Sequence, residues 1–342
     1  MSCPKKLIVF DRAALGPSNG PQQIVNNILA AKFITEEDYI FFDGDLTSLD
    51  RFAKTKNVRP RLGVIRSCVA FVLVLFRLNR RIRGVVIFGT FNFRYYLASR
   101  LLLRGVKVTV IGYDCFTKTW LMNLKKSSGI ELVRFVLRFC IYFLKESAIL
   151  MSGGKLLLVS KRCSDFMQMF FTCSPSQLGI LSTMPTPCAG TKKICSSRKV
   201  ILLGPCKSGL DKHNCSSVLR TLKSNGFLND DIILFGDGFF DVSLRGMERI
   251  DFVENFGEWA TKNSYVLVSL RAGAPGIQTK VQNLLLSGNV IFADGAIDVT
   301  PMPNILIRNI EDLKPNSFYK NANVNFVELY QNCLKSINRM LM

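Results

Sequence analysis

Tyr265 to Gly295 reads YVLVSLRAGAPGIQTKVQNLLLSGNVIFADG, and this run decides the fold because it passes from strand to tight loop to helix to strand without a gap. Tyr265–Leu270 is apolar and β-branched, as a strand buried on both faces should be. Gly273, Pro275 and Gly276 let the backbone turn sharply and approach a ligand. A predicted helix over Ile277–Ser287 follows, and its first amides form a ready anion site. Gly288 stops that helix as a left-handed cap would, and Val290–Ala293 returns as the next strand. On the loop alone, an ordinary βαβ crossover whose glycines only turn the chain is the plainer reading.

Working outward, 342 residues suit two α/β domains of ordinary size, with a binding cleft expected between them. A hydrophobic content of 48% beside 20% charged residues is enough for folded cores and argues against disorder. The 11 cysteines are scattered without a C-x-x-C pair and His213 is the single histidine, which argues against a disulfide framework or a zinc site. The apolar run in MSCPKKLIVF ends at Asp11 and Arg12, too early for a signal peptide, so a reducing cytoplasm with free thiols is expected.

Charge is the second organising feature. Arg51–Arg162 carries 23 Lys/Arg against Asp114, Glu131 and Glu146, the whole of the chain's net +20, while the remainder is balanced. Such asymmetry points to a polyanion, either nucleic acid or an anionic membrane surface. Solubility alone rarely needs so one-sided a segment. Arg66–Arg83 is a predicted helix with an apolar centre, Cys68–Phe76, and with Arg66, Arg77, Arg80, Arg81 and Arg83 at its ends. The apolar run is far short of the ~20 residues that span a bilayer. It suits a helix lying among lipid headgroups, and a core helix with exposed ends fits it equally. Phe116–Lys145 again mixes aromatics with cations. No zinc-finger, RNP or KH pattern supports nucleic acid as the partner.

Along the first half, Lys6–Phe10 is a predicted strand. The loop containing Gly16 and Gly20 and a helix from Pro21 come next, a phosphate-type opening that a plain βα turn also explains. Tyr39–Phe42, Val85–Phe88 and Val106–Ile111 are further strands, with a helix at Phe93–Leu103. This rhythm predicts a parallel sheet with its site at the carboxyl ends of the strands, where Asp114 lies as a candidate base or a simple helix cap. Ser182–Arg198 is rich in Pro, Gly and polar residues and reads as a linker. The second half opens on the strand Lys199–Leu203, followed by Lys207 and Lys212. Asp231–Phe235, Ile250–Asn255, Asp294–Met302 and Ile305–Ile307 complete its sheet, and Asn325–Met342 is a terminal helix.

Arg271, Gly273, Gly276, Ile277, Lys280, Val281, Gly288 and Val290 resemble the donor-sugar segment of GT-B glycosyltransferases, family 4 above all. The resemblance covers almost all of Lys199–Ile310 and, more loosely, the strand order of the first half. It implies a GT-B fold of two Rossmann-like domains: residues 1–184 facing acceptor and membrane, 185–198 as linker, 199–318 binding a nucleotide sugar, and 319–342 as a helix crossing back. By the same resemblance Lys207 and Lys212 neutralise the donor diphosphate, and Gly20, Gly236, Gly238, Arg271, Gly273, Gly276, Ile277 and Lys280 line the donor. The family's paired glutamates fall on Pro275 and Asn283, of which Asn283 keeps the ability to hydrogen-bond a hydroxyl. Asp114 stands where the family carries a His-Asp pair, Tyr113 replacing the histidine.

The implied activity is transfer of a sugar, with retention, from a nucleotide sugar to a lipid-linked or saccharide acceptor in bacterial surface polysaccharide synthesis. The expected location is the inner face of the cytoplasmic membrane, with no cofactor and no resident metal. Asp114 or Asp11 serves as base should the reaction invert instead. Rival readings are an epimerase, whose dinucleotide loop does not fit Gly16–Gly20, a basic nucleic-acid binder, and an inactive GT-B scaffold.

Overall fold

The computed structural model describes residues 5–9, 27, 31, 39–42 and, between 64 and 341, all but 79–81, 113–114, 125–127, 175, 184–193, 205, 207–208, 237, 240–245, 251–252, 254–258, 260–261, 263–264, 271–278 and 321–323. Contacts divide the chain into two units. One holds Met1–Leu121, Val133–Thr183 and Cys333–Met342, the other Met122–Leu132 and Met184–Asn332.

The first unit is built on strands β1 (Lys5–Val9), β2 (Tyr39–Phe42), β3 (Ile82–Phe88), β4 (Lys107–Gly112), β5 (Lys155–Leu158) and β6 (Leu178–Ile180). They pair in the order β2-β1-β3-β4-β5-β6, every neighbour parallel. Helices α1 (Val64–Leu78), α2 (Phe93–Leu102), α3 (Phe116–Leu124), α4 (Gly129–Met151) and α5 (Lys161–Gln168) connect them. The runs VVIF and LLL are buried on both sheet faces, which explains why their sequences are continuous rather than alternating. Phe71 and Leu75 of α1, Tyr96 of α2 and Ile149 of α4 close one core with Leu156 and Leu158.

The expected helix over Arg66–Arg83 is thus corrected. Helix α1 ends at Leu78, and Arg83 lies exposed in β3. Strand pairing decides this, because Ile82 onward is drawn between β1 and β4. Its apolar centre divides between two faces: Ala70, Phe71, Val74 and Leu75 are core, whereas Val69, Leu73 and Phe76 are exposed beside Arg77.

In the second unit, β7 (Ile194–Leu203), β8 (Ile232–Phe235), β9 (Glu248–Ile250), β10 (Tyr265–Ser269), β11 (Ile291–Ala293) and β12 (Ile307–Asn309) are ordered β12-β11-β10-β7-β8-β9, all parallel. Strand β13 (Phe318–Lys320) adds antiparallel to the start of β7. That pairing carries β7 back to Ile194, into the predicted linker. Helices α6 (Gly209–Ser224), α7 (Thr279–Leu286) and α8 (Phe326–Leu341) complete the fold. Val200–Leu202, Ile232–Leu234 and Val266–Val268 are almost wholly buried, each large side chain contributing about 1.5–3 kcal/mol by leaving water.

Gly288 adopts φ +81° and its N–H meets the carbonyl of Leu285, the left-handed cap expected after α7. Asp294–Met302 is turn and loop instead of a strand, with Thr300–Pro301 cis. In α8, Met340 accepts a hydrogen bond from Lys155 Nζ at 2.8 Å, within the first unit.

Candidate functional site

Strand order marks a candidate site in the second unit. After β7 the chain runs through β8 and β9 on one side and returns through β10, β11 and β12 on the other. The order therefore reverses between β7 and β10, and ligands of open parallel sheets gather at the carboxyl ends flanking such a reversal. Leu203 of β7 pairs with Ser269 of β10, so those ends lie side by side. Phe235 of β8 and Ala293 of β11 extend the same edge.

Helix α6 begins beyond the end of β7 and presents Lys212, exposed, near its N-terminus. Asn214 Nδ2 donates to the carbonyl of Leu270 at 2.9 Å, and Ser217 Oγ donates to Asp294 Oδ2 at 2.6 Å. The turns bearing Lys212 are thus tied to the residues just past β10 and β11. The N-terminal part of α6, which carries Lys212, therefore lies beside two strand ends, and helix N-termini favour phosphate.

Two glycines shape the neighbouring ends. Gly204 N donates to the Phe235 carbonyl at 2.8 Å, and a Cβ on Gly204 would stand 2.8 Å from Phe239 Cε2 and 3.2 Å from that same carbonyl. Gly236, at φ +111°, packs against it, and Gly238 has φ +95°. Backbone conformation and close packing already require glycine at these positions. Helix α7 follows the loop after β10, carries Lys280 in its first turn, buries Val281 and Gln282, and leaves Asn283 exposed. Gln282 Nε2 holds the carbonyls of Val299 and Thr300 at 3.2 and 2.8 Å.

Of the residues expected from sequence, Lys212, Gly236, Gly238, Lys280 and Asn283 all follow strands of this one sheet. Arg66 and Arg77 lie on α1, and Arg83 lies in β3, in the other unit. Asp11, Gly20, Arg80, Arg81, Asp114, Lys207, Arg271, Gly273, Gly276 and Ile277 fall outside the described residues. Sequence reading passed over Asn214 and Ser217, whose polar side chains look like solvated helix positions until the strand ends they clasp are known. Asn214→Ala is expected to weaken nucleotide binding roughly tenfold by loosening that clasp, about the worth of one hydrogen bond. Titration calorimetry beside a melting curve checks it, and unchanged affinity would detach Asn214 from the site.

The first unit holds one further polar centre. Glu146 of α4 is fully buried. Its Oε1 accepts from Phe116 N at 3.0 Å, and its Oε2 accepts from Thr117 Oγ1 at 2.6 Å, Thr117 N at 3.4 Å and Cys115 Sγ at 3.4 Å. The carboxyl thereby caps α3 from another helix. Burial pushes its pKa above the ordinary carboxylate value, against the pull of those donors. Among the described residues, no group of three His, Cys, Asp or Glu is placed to hold a metal ion.

No protein-family model matches the chain, and no curated protein matches it. Solved structures do resemble it. Sucrose-phosphate synthase from Thermosynechococcus elongatus matches over 99% of this chain and 90% of its own, with a TM-score of 0.53 and 9% identity. The fold is GT-B. TarM gives a TM-score of 0.46 at 10% identity over 80% of this chain and 52% of that one, so the present GT-B chain spans about half of that structure's length. A UDP-N-acetylglucosamine 2-epimerase gives 0.43 at 13% identity, over 99% and 91% of the two chains. Likeness at these identities concerns the GT-B fold and stops there.

Proposed function

We propose that the protein is a glycosyltransferase that takes a sugar from a nucleoside diphosphate sugar at the carboxyl edge of the second sheet. The observation that carries this reading is the placement of Lys212 and the Asn214–Leu270 clasp at the strand-order reversal between β7 and β10. Transfer breaks the bond between the anomeric carbon and the diphosphate oxygen, and negative charge grows on the leaving diphosphate. Lys212, with Lys207 and the amides of Gly276 and Ile277, stabilises that charge in our reading. In this reading the cations take the place of a divalent metal at the diphosphate. The family resemblance favours retention of configuration and a hexose donor.

For the acceptor we propose a lipid-linked saccharide of bacterial surface polymer assembly, met by a peripheral enzyme at the inner face of the cytoplasmic membrane. The basic Arg51–Arg162 segment supports that setting. Among the described residues, no helix is long and apolar enough to cross a membrane.

The test incubates the protein with radiolabelled UDP-, GDP- and TDP-sugars and bacterial membranes, then extracts with organic solvent. Label moving into the lipid phase is the expected result. Conversion of the donor to an epimer without transfer would replace this reading with an epimerase, and an unchanged donor in every arm would leave a scaffold without activity.

A further inference from the structure

Residues Val133–Leu144 of α4 are mostly exposed, and their outer face is apolar. Val133, Leu137 and Leu144 are 68%, 61% and 67% exposed, and Val136, Cys140 and Ile141 complete the stripe. Spacings of three and four place all six on one side of the helix. Arg134, Arg138 and Lys145 fall together along one flank by the same geometry. Two of them rest on rings of the inner face: the Arg138 guanidinium lies 4.7 Å from the Trp120 centroid, and Lys145 Nζ lies 4.8 Å from that of Tyr142. The inner face is held by ring contacts of Trp120 with Phe135 and of Phe116 with Tyr142. Phe170 packs edge-on to Phe143 and, with Met169, carries exposed apolar surface past the helix.

We propose that this stripe inserts among the headgroups of an anionic lipid surface, α4 lying in the membrane plane. A row of exposed aliphatic side chains costs free energy in water, and the flanking cations choose among the possible covers. A second copy would bring the same cations against themselves, in a segment whose net charge is +20. Anionic headgroups meet them, while the aliphatic stems reach the acyl boundary. With Glu131, Arg134, Arg138, Lys145 and Glu146 in its 23 residues, α4 is a helix for the interface and not for the bilayer core. This inference rests on the membrane setting proposed above and is independent of the transfer chemistry.

The test uses the full chain without nucleotide. Vesicles of phosphatidylcholine with phosphatidylglycerol should protect Cys140 from a water-soluble maleimide, read by peptide mass spectrometry, by about tenfold or more, and pure phosphatidylcholine vesicles should protect it far less. The double variant Leu137→Glu, Leu144→Glu, at two exposed positions, should sediment with anionic vesicles at least about tenfold more weakly while keeping its melting temperature. Cys140 equally reactive with and without anionic vesicles would overturn the proposal in the wild-type protein itself. Protection of Cys140 that needs no lipid and tracks protein concentration would overturn it in favour of a second copy. Nucleotide binding measured alongside separates a failure of this proposal from a failure of the donor site.

Discussion

Glu146→Ala should lower stability by about 3–5 kcal/mol, because it strips a buried cluster of donors of its acceptor and fills the space with nothing. The N–H groups of Phe116 and Thr117 and the Thr117 hydroxyl all point at the Glu146 carboxyl, and water does not reach it. In a protein of this size that loss lowers the melting temperature by roughly 10 °C. Calorimetry should show it, with transfer activity at low temperature largely kept. A shift of only a degree or two would mean that α3 is held by other contacts.

The same carboxyl fixes a pH dependence. Its pKa in the folded protein is raised, with burial as the leading cause, so between the ordinary carboxylate value and the raised one the native state holds a proton that the unfolded state has released. This contribution is complete below the unfolded value and is lost as pH rises through the folded one. Glu146→Gln removes the titration. The stability difference between wild type and this variant should therefore slope across that window and flatten on either side. A difference independent of pH from the ordinary carboxylate range upward would show that Glu146 is charged throughout.

Lys212→Ala is expected to reduce kcat and kcat/KM by about 10², near 3 kcal/mol, since the proposed role of its charge is to stabilise the departing diphosphate, mainly in the transition state. Lys212 is exposed, so the melting temperature should not move. Lys212→Arg restores the charge with a different fork and should recover part of the rate. Near-normal turnover in a folded Lys212→Ala protein would remove Lys212 from the proposed chemistry.

Much of the second sheet was legible in the chain. Tyr265–Leu270 and Lys199–Leu203 announce buried parallel strands because their neighbours on both faces demand apolar side chains, and Gly288 announces a helix end because few other residues accept φ +81°. Strands β6 and β13 were invisible, three residues each, because short edge strands owe their form to a partner rather than to local preference. Ile194–Ser196 was read as linker for the same reason, its pairing with Phe318–Lys320 lying far along the sequence. Arg83 shows a charge belonging to the start of a strand where its neighbours suggested a helix. Lys212 stood out only through the family resemblance. Asn214 and, in the first unit, Glu146 gave no signal, because a polar residue on an amphipathic helix looks solvated until tertiary structure supplies its partner.

The claim on which the rest depends is that the second unit binds a nucleoside diphosphate between the ends of β7 and β10. Thermal denaturation with UDP, GDP, CDP, TDP and CMP tests it most directly, since a ligand confined to the native state stabilises by about 2.7 kcal/mol at a hundred times its Kd. One diphosphate should raise the melting temperature by several degrees in wild type and by much less in Lys212→Ala, with CMP weaker than CDP. No shift with any of the five, or an equal shift in the Lys212→Ala protein, would contradict the account.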